Sequence, residues 1–251
     1  YAAQGGLTMK ALIELQSSQS PDTRFERWWH SEGEWVEPPN QRRGGESGVR
    51  RLVPRDTHRS VLYCKRQAGH IYRSVLHPFG RPTALREQQA IEAFRRIGIR
   101  VPNIVYCASR KISGQWQAVL VTQALDGFIS LQEWYGSARQ ERHDSALNRR
   151  MLEQLASTLA RLHLAGWQHG CCYPKHIFVR VPNPSVEAPV DIALLDLEKS
   201  RRRWSISAAS RHDLRQLYRH REDMPQEDWL LFHQTYLRAL GASLGGVQHE
   251  R

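Results

Sequence analysis

The sequence predicts a two-lobed α+β fold, in which a small N-terminal lobe with an antiparallel sheet and one helix precedes a mostly helical C-terminal lobe. Two observations predict this class. Residues 60–124 show strand, helix, strand and strand patterns in that order, and after Gly127 the composition changes to helix-forming residues. We therefore expect a tail or expression remnant at residues 1–20, an N-terminal lobe at 21–124 and a C-terminal lobe at 125–251.

The composition excludes several classes of protein. The 251 residues carry a formal net charge of +11, with 31 Arg and 5 Lys, and 40% of them are hydrophobic. Such a chain buries its own core, which excludes a disulfide mini-protein and a disordered chain. The apolar runs are far shorter than the roughly 20 residues that span a bilayer. Four cysteines without a disulfide pattern favour a cytoplasmic location. The arginines favour phosphate- or carboxylate-bearing partners, although a GC-rich genome explains them equally well.

The elements of the N-terminal lobe follow from periodicity and from turn residues. They are a helix at 21–30, a break at 37–40, a Gly- and Arg-rich stretch at 42–51, a strand at 60–66, a loop at 77–82, a helix at 83–97, and strands at 104–110 and 115–124. Ser113-Gly114 forms the turn between the last two strands. Alternation along the 60–66 strand places Val61, Tyr63 and Lys65 on one face.

The C-terminal lobe opens with the longest helical pattern in the chain. Its predicted elements are a helix at 144–165, an unusual loop at 167–176, a hairpin of strands at 177–181 and 190–195, and helices at 208–220 and 226–240. The long helix carries a buried stripe of Leu147, Met151, Leu155, Leu159 and Leu162. The hairpin delivers Asp196 at its end.

Four residues of the Gly-rich stretch are candidates for phosphate binding, because glycine lacks the Cβ that keeps a backbone away from a phosphate. They are Gly44, Gly45, Ser47 and Gly48. An ordinary hairpin or loop explains the same composition equally well.

Lys65 and Glu87 form a candidate ion pair. A lysine on an otherwise apolar strand face needs a carboxylate partner, and the next helix offers Glu87. A surface lysine and a capping glutamate are the alternative.

The order of these features resembles a protein-kinase-like fold, and most closely the lipopolysaccharide kinase family, the Kdo/WaaP group with its InaA-like members. The resemblance covers about residues 25–240 and rests on five features. These are the Gly-rich residues 44–49, Lys65, Glu87, the loop at 169–176 and Asp196-Leu197-Glu198.

The resemblance implies an ATP-dependent kinase that uses Mg²⁺, with a role for each feature. Lys65 would orient the ATP phosphates, and Glu87 would hold Lys65. His176 and Asp196 would bind Mg²⁺, whereas Glu198 would reach the same metal or remain solvated. Residues at the adenine pocket or hinge would be Tyr63, Thr122 and Ala124.

The loop that starts at His169 departs from ordinary kinases at its catalytic position. Cys171 stands where the catalytic Asp is expected, whereas His176 matches the related sugar-lipid kinases. A thiol, with an ordinary pKa of about 8.5, is a poor base unless a cation lowers its pKa. Lys175 is a candidate for that cation, and its position in the resemblance implies contact with the γ-phosphate.

The same loop has a second interpretation as a zinc site. His169, Cys171, Cys172 and His176 are all zinc-type ligands, but adjacent cysteines rarely face one tetrahedral ion. We therefore expect Cys172 to be simply buried.

Asp213 resembles the helix Asp that accepts hydrogen bonds from the catalytic-loop backbone. The segment from Asp196 to Asp213 is short and lacks the Ala-Pro-Glu of protein kinases, which favours a small or lipid-linked acceptor over a protein. The arginines of residues 201–221 would contact anionic core sugars of lipopolysaccharide, or form a solvated face.

A lipid-linked acceptor would place the protein at the inner membrane surface, although no amphipathic anchor is evident. The first alternative is a pseudokinase that binds nucleotide or an anionic partner as a regulator of an envelope or stress response. Nucleic-acid binding comes third, because no motif supports it.

Overall fold

The computed structural model describes residues 20–42, 45–54, 60–74, 77–136, 144–182, 190–221 and 223–246. They form two compact units. The first contains the described residues up to Leu85 together with Ile104–Gln123, and the second contains Arg86–Asn103 and the described residues from Ala124 onward. Strands dominate the first unit and helices the second, which agrees with the predicted α+β class.

The first unit is built around an antiparallel sheet. Its elements are α1 (Pro21–Trp29), β1 (Glu34–Arg42), β2 (Gly45–Leu52), β3 (Leu62–Ala68), β4 (Ile71–Ser74), β5 (His77–Pro82), the first turn of α2 (Thr83–Arg96), β6 (Ile104–Ile112) and β7 (Gln115–Gln123). Five of the strands form one sheet in the order β1-β2-β3-β7-β6.

The register of this sheet places Lys65 beside two apolar residues. Val49 of β2 and Leu120 of β7 lie directly opposite Lys65. Directly opposite residues share a face, so the predicted position of Lys65 on an apolar strand face is confirmed.

The other face of the sheet is covered by α1. Phe25 packs against Cys64, Val119 and Val121, and all four side chains are buried. The helix starts at a capping residue, since the Ser20 side chain accepts a hydrogen bond from the Thr23 amide.

Two sequence expectations for this unit are wrong. Residues 37–40, with Pro38 and Pro39, were expected to end the first helix, but that helix already ends at Trp29 and these residues lie within β1. This strand is at the edge of the sheet and its register with β2 is irregular, and an edge position tolerates proline because no second neighbour needs its N–H. The expected loop at 77–82 is β5, which pairs with β4. By contrast, the turn at Ser113-Gly114 is confirmed, with φ of 49° and 81°.

The second unit contains the remaining elements. They are the rest of α2, β8 (Ile129–Ser130), α3 (Leu131–Gly136), α4 (Ser145–Leu164), β9 (Trp167–Gln168), a 3₁₀ turn (Pro174–His176), β10 (Ile177–Arg180), β11 (Asp191–Leu194), a second 3₁₀ turn (Leu197–Lys199), β12 (Arg201–Arg202), α5 (Ile206–Arg219) and α6 (Gln226–Gly246).

The long helix α4 forms the centre of this unit. All five residues of its predicted stripe are buried, and α6 packs along it. The predicted hairpin is also confirmed, as β10 and β11 pair antiparallel and β8 adds a third strand. The sequence did not predict α3, β8 or β12. Within the described residues, no helix is both long enough and apolar enough to cross a membrane.

Candidate active site

A buried carboxylate on α5 holds the loop that follows β9. Asp213 is fully buried and accepts hydrogen bonds from the backbone amides of His169 at 2.6 Å and Gly170 at 3.0 Å. Gly170 has φ of +83°, and a Cβ there would lie 2.6 Å from the Lys199 carbonyl oxygen. The predicted role of Asp213 as the acceptor for the loop backbone is therefore confirmed.

Two histidine side chains also form hydrogen bonds with the Asp213 carboxylate. His163 Nε2 and His212 Nδ1 each donate to Asp213 at 3.2 Å. Burial alone would raise the pKa of Asp213, but these hydrogen bonds hold it well below its ordinary value. Asp213 is therefore a permanent anion at neutral pH, and it can accept all four hydrogen bonds.

Gln216, one helical turn after Asp213, is a second support for the loop. Its side-chain oxygen accepts from the Cys172 amide at 2.8 Å, and its nitrogen donates to the Tyr173 hydroxyl at 3.0 Å. Gln216 was not among the residues predicted from the sequence. Its spacing of three from Asp213 on one helix face was the available signal.

His169 lies inside the protein, where it orders the loop. The side chain is fully buried, and its Nδ1 accepts from the Cys171 amide at 3.2 Å, so Nε2 carries the proton of the neutral ring. This Nε2 has no hydrogen-bond partner among the described residues. Burial lowers the pKa of His169 to about 4, so the ring is neutral at pH 7. Its catalytic assignment stays a prediction, and its geometry is that of a positioning residue.

Three potential ligands meet at the edge of this loop. One ligand atom each from Cys171, His176 and Asp196 lies within 4.8 Å of the others. His176 Nδ1 is 3.5 Å from Asp196 Oδ2 and donates to the Cys171 carbonyl oxygen at 2.9 Å. In the neutral ring, Nε2 therefore has the free lone pair. The two residues predicted to share a metal are thus neighbours.

The backbone of Asp196 is strained where it delivers this carboxylate. The residue follows the end of β11 and has φ of 57° and ψ of 62°, the left-handed conformation that non-glycine residues rarely adopt. Strain of this kind is typical of functional positions.

Cys171 is a thiol rather than a thiolate. Burial and the adjacent charge of Asp196 raise its pKa to about 12, and Lys199 offsets this only in part. The cation that acts on the thiol is Lys199, whereas Lys175, which we expected in that role, is exposed on the 3₁₀ turn. At neutral pH the thiol is therefore protonated and does not accept a proton as a base.

The donor atoms of Cys171, His176 and Asp196 can be compared with the ligands preferred by Mg²⁺, the metal expected at His176 and Asp196. Mg²⁺ prefers oxygen ligands, and of the three donors only Asp196 supplies oxygen. The full set therefore does not fit Mg²⁺. The alternative zinc set of His169, Cys171, Cys172 and His176 differs from the group found among the described residues, which lacks His169 and Cys172. Cys172 is fully buried, as predicted.

The glycines of β2 are explained by packing within the first unit. A Cβ on Gly45 would lie 2.4 Å from the backbone of Gly69 and His70, and one on Gly48 would lie 2.8 Å from the Trp35 ring. Ser47 accepts a hydrogen bond from Gln67 at 3.4 Å. Gly44 lies outside the described residues. The space that these glycines leave beside β2 is filled by the protein itself, so the hairpin alternative accounts for Gly45 and Gly48.

The other predicted nucleotide residues lie on β3, β7 and α2. Tyr63 pairs with Thr122 in the sheet, and Ala124 follows the end of β7. Lys65 is half-buried on β3, and Glu87 on α2 is 8% exposed. The ion pair between these two residues stays a prediction.

Comparison with known proteins gives a consistent picture. The model of the lipopolysaccharide kinase (Kdo/WaaP) family matches residues 26–236. Protein InaA of Escherichia coli (strain K12) is 42% identical over 205 residues, which cover 82% of this chain and 91% of InaA.

More distant similarity points to the same group. Lipopolysaccharide core heptose(I) kinase WaaP of Escherichia coli is 24% identical over 126 residues, and these cover 47% of this chain and 48% of WaaP. The solved structure of WaaP in complex with acyl carrier protein matches with a TM-score of 0.67 at 22% identity, covering 90% of this chain and 86% of the other. The structural match confirms the predicted kinase-like fold class.

Proposed function

The chain belongs to the lipopolysaccharide kinase (Kdo/WaaP) family, as the sequence features indicated, and from this premise we propose that it is an ATP-dependent kinase. The acceptor that we propose is a sugar hydroxyl of a lipopolysaccharide core or of a similar lipid-linked molecule. The observation that carries the proposal is that His176, at the end of the loop held by Asp213, lies beside Asp196, which follows β11.

In this proposal each residue keeps the role that the family resemblance implies. Lys65 contacts the phosphates of ATP, Glu87 positions Lys65, and Thr122 and Ala124 border the adenine. Packing accounts for Gly45 and Gly48, so the proposal gives the Gly-rich stretch no contact with phosphate. A divalent metal accompanies ATP in kinase chemistry, and Asp196 is the carboxylate suited to it, with His176 adjacent.

The protonated thiol of Cys171 decides how fast such a kinase can be. Phosphoryl transfer passes through a loose transition state, so positioning and charge neutralisation contribute most of the catalysis. A general base adds about 10² to 10⁴ in rate. We therefore propose slow transfer without a strong base, with the exposed Lys175 neutralising charge on the moving phosphoryl group.

A basic surface with one aromatic residue supports an anionic, lipid-linked acceptor. Arg201 and Arg202 are exposed on β12, Trp204 is fully exposed after them, and Arg211 and Arg215 are exposed on α5. Arginine pairs with phosphate through two parallel hydrogen bonds, and tryptophan favours the boundary between water and lipid. Such a surface would hold the acceptor near a membrane.

The second candidate is a pseudokinase that binds nucleotide or an anionic partner as a regulator of an envelope or stress response. One observation favours it, namely the thiol with a pKa of about 12 where a catalytic carboxylate is expected. Such a pseudokinase would differ from the first candidate in that it would not transfer phosphate.

Phosphate transfer to purified core oligosaccharide tests the proposal. We expect wild type to exceed Lys65→Ala by more than about 10-fold and Cys171→Asp to exceed wild type, since a base adds at least about 10². Lys111→Ala is the matched control, because Lys111 is exposed on β6 outside the proposed site, and its activity should equal that of wild type. Equal background for wild type and Lys65→Ala would refute the kinase. Thermal stabilisation by ATP without any transfer would then support the pseudokinase.

A further inference from the structure

A cleft of about 270 Å³ lies in the first unit, away from the residues proposed to act in phosphate transfer. Two tryptophans line it, Trp29 at the end of α1 and Trp35 on β1. Two arginines line it as well, Arg50 on β2 and Arg66 on β3. Sites for drug-sized ligands measure about 300–1,000 Å³, so this cleft suits a small molecule or one chemical group of a larger molecule.

The register of the sheet places both arginines on the face that α1 covers. Arg50 lies directly opposite Cys64, and on the next strand pair Arg66 lies directly opposite Val119. Cys64 and Val119 belong to the core under α1, and directly opposite residues share a face. Lys65 lies between these positions on β3 and therefore points to the other face. The cleft is thus separate from the residue proposed to contact the phosphates of ATP.

The protein holds both guanidinium groups in place. Those of Arg50 and Arg66 lie 4.1 Å and 5.3 Å from the centre of the Trp35 ring. Nη1 of Arg50 donates to the Ser31 carbonyl oxygen at 3.0 Å, and Nη1 of Arg66 donates to that of Trp29. Among the described residues, Nη2 of neither arginine has a hydrogen-bond partner. Donors that are already ordered lose little conformational freedom when a ligand binds.

Arg50 and Arg66 bring two positive charges to this cleft. Neither forms an ion pair within the part of the chain that the structure describes. By contrast, Arg51, the next residue of β2, pairs with Glu34 at 3.9 Å. Burial and the charge of Arg50 lower the pKa of Arg66, and the exposed Glu46, which also lines the cleft, offsets this only in part. A bound anion would relieve the repulsion between the two guanidinium groups.

The number of charges selects the kind of anion. A phosphate monoester carries a charge of about −1.5 to −2 at pH 7, which matches two guanidinium groups, whereas a carboxylate carries only one negative charge. We propose that this cleft binds a phosphate monoester, with Arg50 and Arg66 donating to the phosphate oxygens and the tryptophan rings contacting the rest of the molecule. The site goes beyond the kinase function and does not depend on it, because all its residues belong to the first unit.

Isothermal titration calorimetry of the full chain with phenyl phosphate tests the proposal. We expect one phenyl phosphate per chain, bound at least about 10-fold more tightly than benzoate, which has the same ring and one negative charge. Vesicles of phosphatidic acid carry the same phosphate monoester on a lipid, whereas those of phosphatidylglycerol carry a diester. Competition by the phosphatidic acid vesicles alone would assign a lipid source for the phosphate group, and no competition would assign a soluble one.

Variants assign the phosphate to the cleft. Arg66→Gln should weaken the binding of phenyl phosphate by more than about 10-fold, because it removes a charged donor. Arg51→Gln is the matched control on β2 and should bind like wild type, as should Lys65→Ala. Glu46→Gln should strengthen the binding by about 2-fold, since it removes a negative charge from the cleft. This gain of affinity is a result that a purely structural role of the arginines would not produce.

Three outcomes would overturn the proposal. The first is no binding of phenyl phosphate to wild type, a result that does not depend on the folding of any variant. The second is equal affinity for wild type and a folded Arg66→Gln. The third is loss of binding in Lys65→Ala, which would place phenyl phosphate among the residues proposed for ATP. Absence of phosphate transfer would leave these binding results unchanged, so failure of the kinase proposal is distinguishable from failure of this one.

Discussion

Nδ1 of His176 lies 3.5 Å from Oδ2 of Asp196, although the β10–β11 hairpin separates the two residues in the chain. The hairpin register explains their proximity. Ile177 pairs with Leu194, and the Leu195 amide donates to the His176 carbonyl oxygen at 2.9 Å, so both ends of the hairpin finish together. A slip of one residue would turn the side chains of one strand to the opposite face, so the site depends on this register.

The fully buried carboxylate of Asp213 should be the most sensitive polar group of the second unit. Asp213→Asn removes the buried charge. It also replaces one carboxylate oxygen by an amide nitrogen, which would face the N–H groups that now donate to Asp213. We therefore expect the free energy of unfolding to fall by about 3 kcal/mol. Urea unfolding measures this loss. Asp126→Asn, at an exposed turn, is the control and should change stability by less than about 0.5 kcal/mol. Similar stability for the two variants would contradict the role of Asp213.

His169 should make stability depend on pH. Burial lowers its pKa to about 4, whereas in the unfolded chain it is about 6.5. Between these values only the unfolded chain binds the proton. The contribution of His169 is therefore complete above about pH 6.5 and decreases as the pH falls toward 4, by on the order of 3 kcal/mol.

Unfolding free energies of His169→Gln between pH 4 and 8 test this effect. The variant should show a flatter profile than wild type across the range from pH 4 to 6.5. Parallel profiles for wild type and His169→Gln would rule out burial of a neutral imidazole.

Two substitutions of Asp196 should distinguish the effect of its strained backbone on stability from the effect of its carboxylate on metal binding. Asp196→Gly and Asp196→Ala both remove the carboxylate, but only glycine adopts φ of 57° without a steric penalty. We expect the glycine variant to be more stable than the alanine variant by about 1 kcal/mol, and neither to bind metal. Thermal unfolding of the pair is the measurement, and an alanine variant as stable as the glycine variant would show that the backbone is relaxed.

We expect Gly45 to be required for packing against Gly69 and His70 rather than for phosphate binding. In Gly45→Ala the new methyl group meets the backbone of Gly69 and His70 at 2.4 Å, so one strand must move. We expect a loss of about 2 kcal/mol in stability. The matched control is Gly241→Ala on α6, where no atom lies within 4 Å and alanine should add about 0.5–1 kcal/mol. Unchanged stability of Gly45→Ala with weakened ATP binding would restore the phosphate interpretation.

Helices were easier to predict than strands in this protein. The stripe of α4 and the extent of α2 follow from a periodicity of nearby residues, and both were correct within a few positions. Pro38 and Pro39 misled the prediction of β1, since their tolerance depends on an edge position that distant strands decide. Gln216 was missed because its partners, the Cys172 amide and the Tyr173 hydroxyl, belong to a loop far from it in the chain.

The amino-acid sequence by itself determined the order of the elements, the family resemblance and the residues available for chemistry, because these depend on local patterns and residue types. Only the tertiary structure decided which of these residues meet. It buried His169 and Cys172, left Lys175 exposed, and brought Cys171 to His176 and Asp196. The physical reason is that hairpin register and the hydrogen bonds of Asp213 act between segments far apart in the chain, and those interactions set both the distances and the charge state of the site.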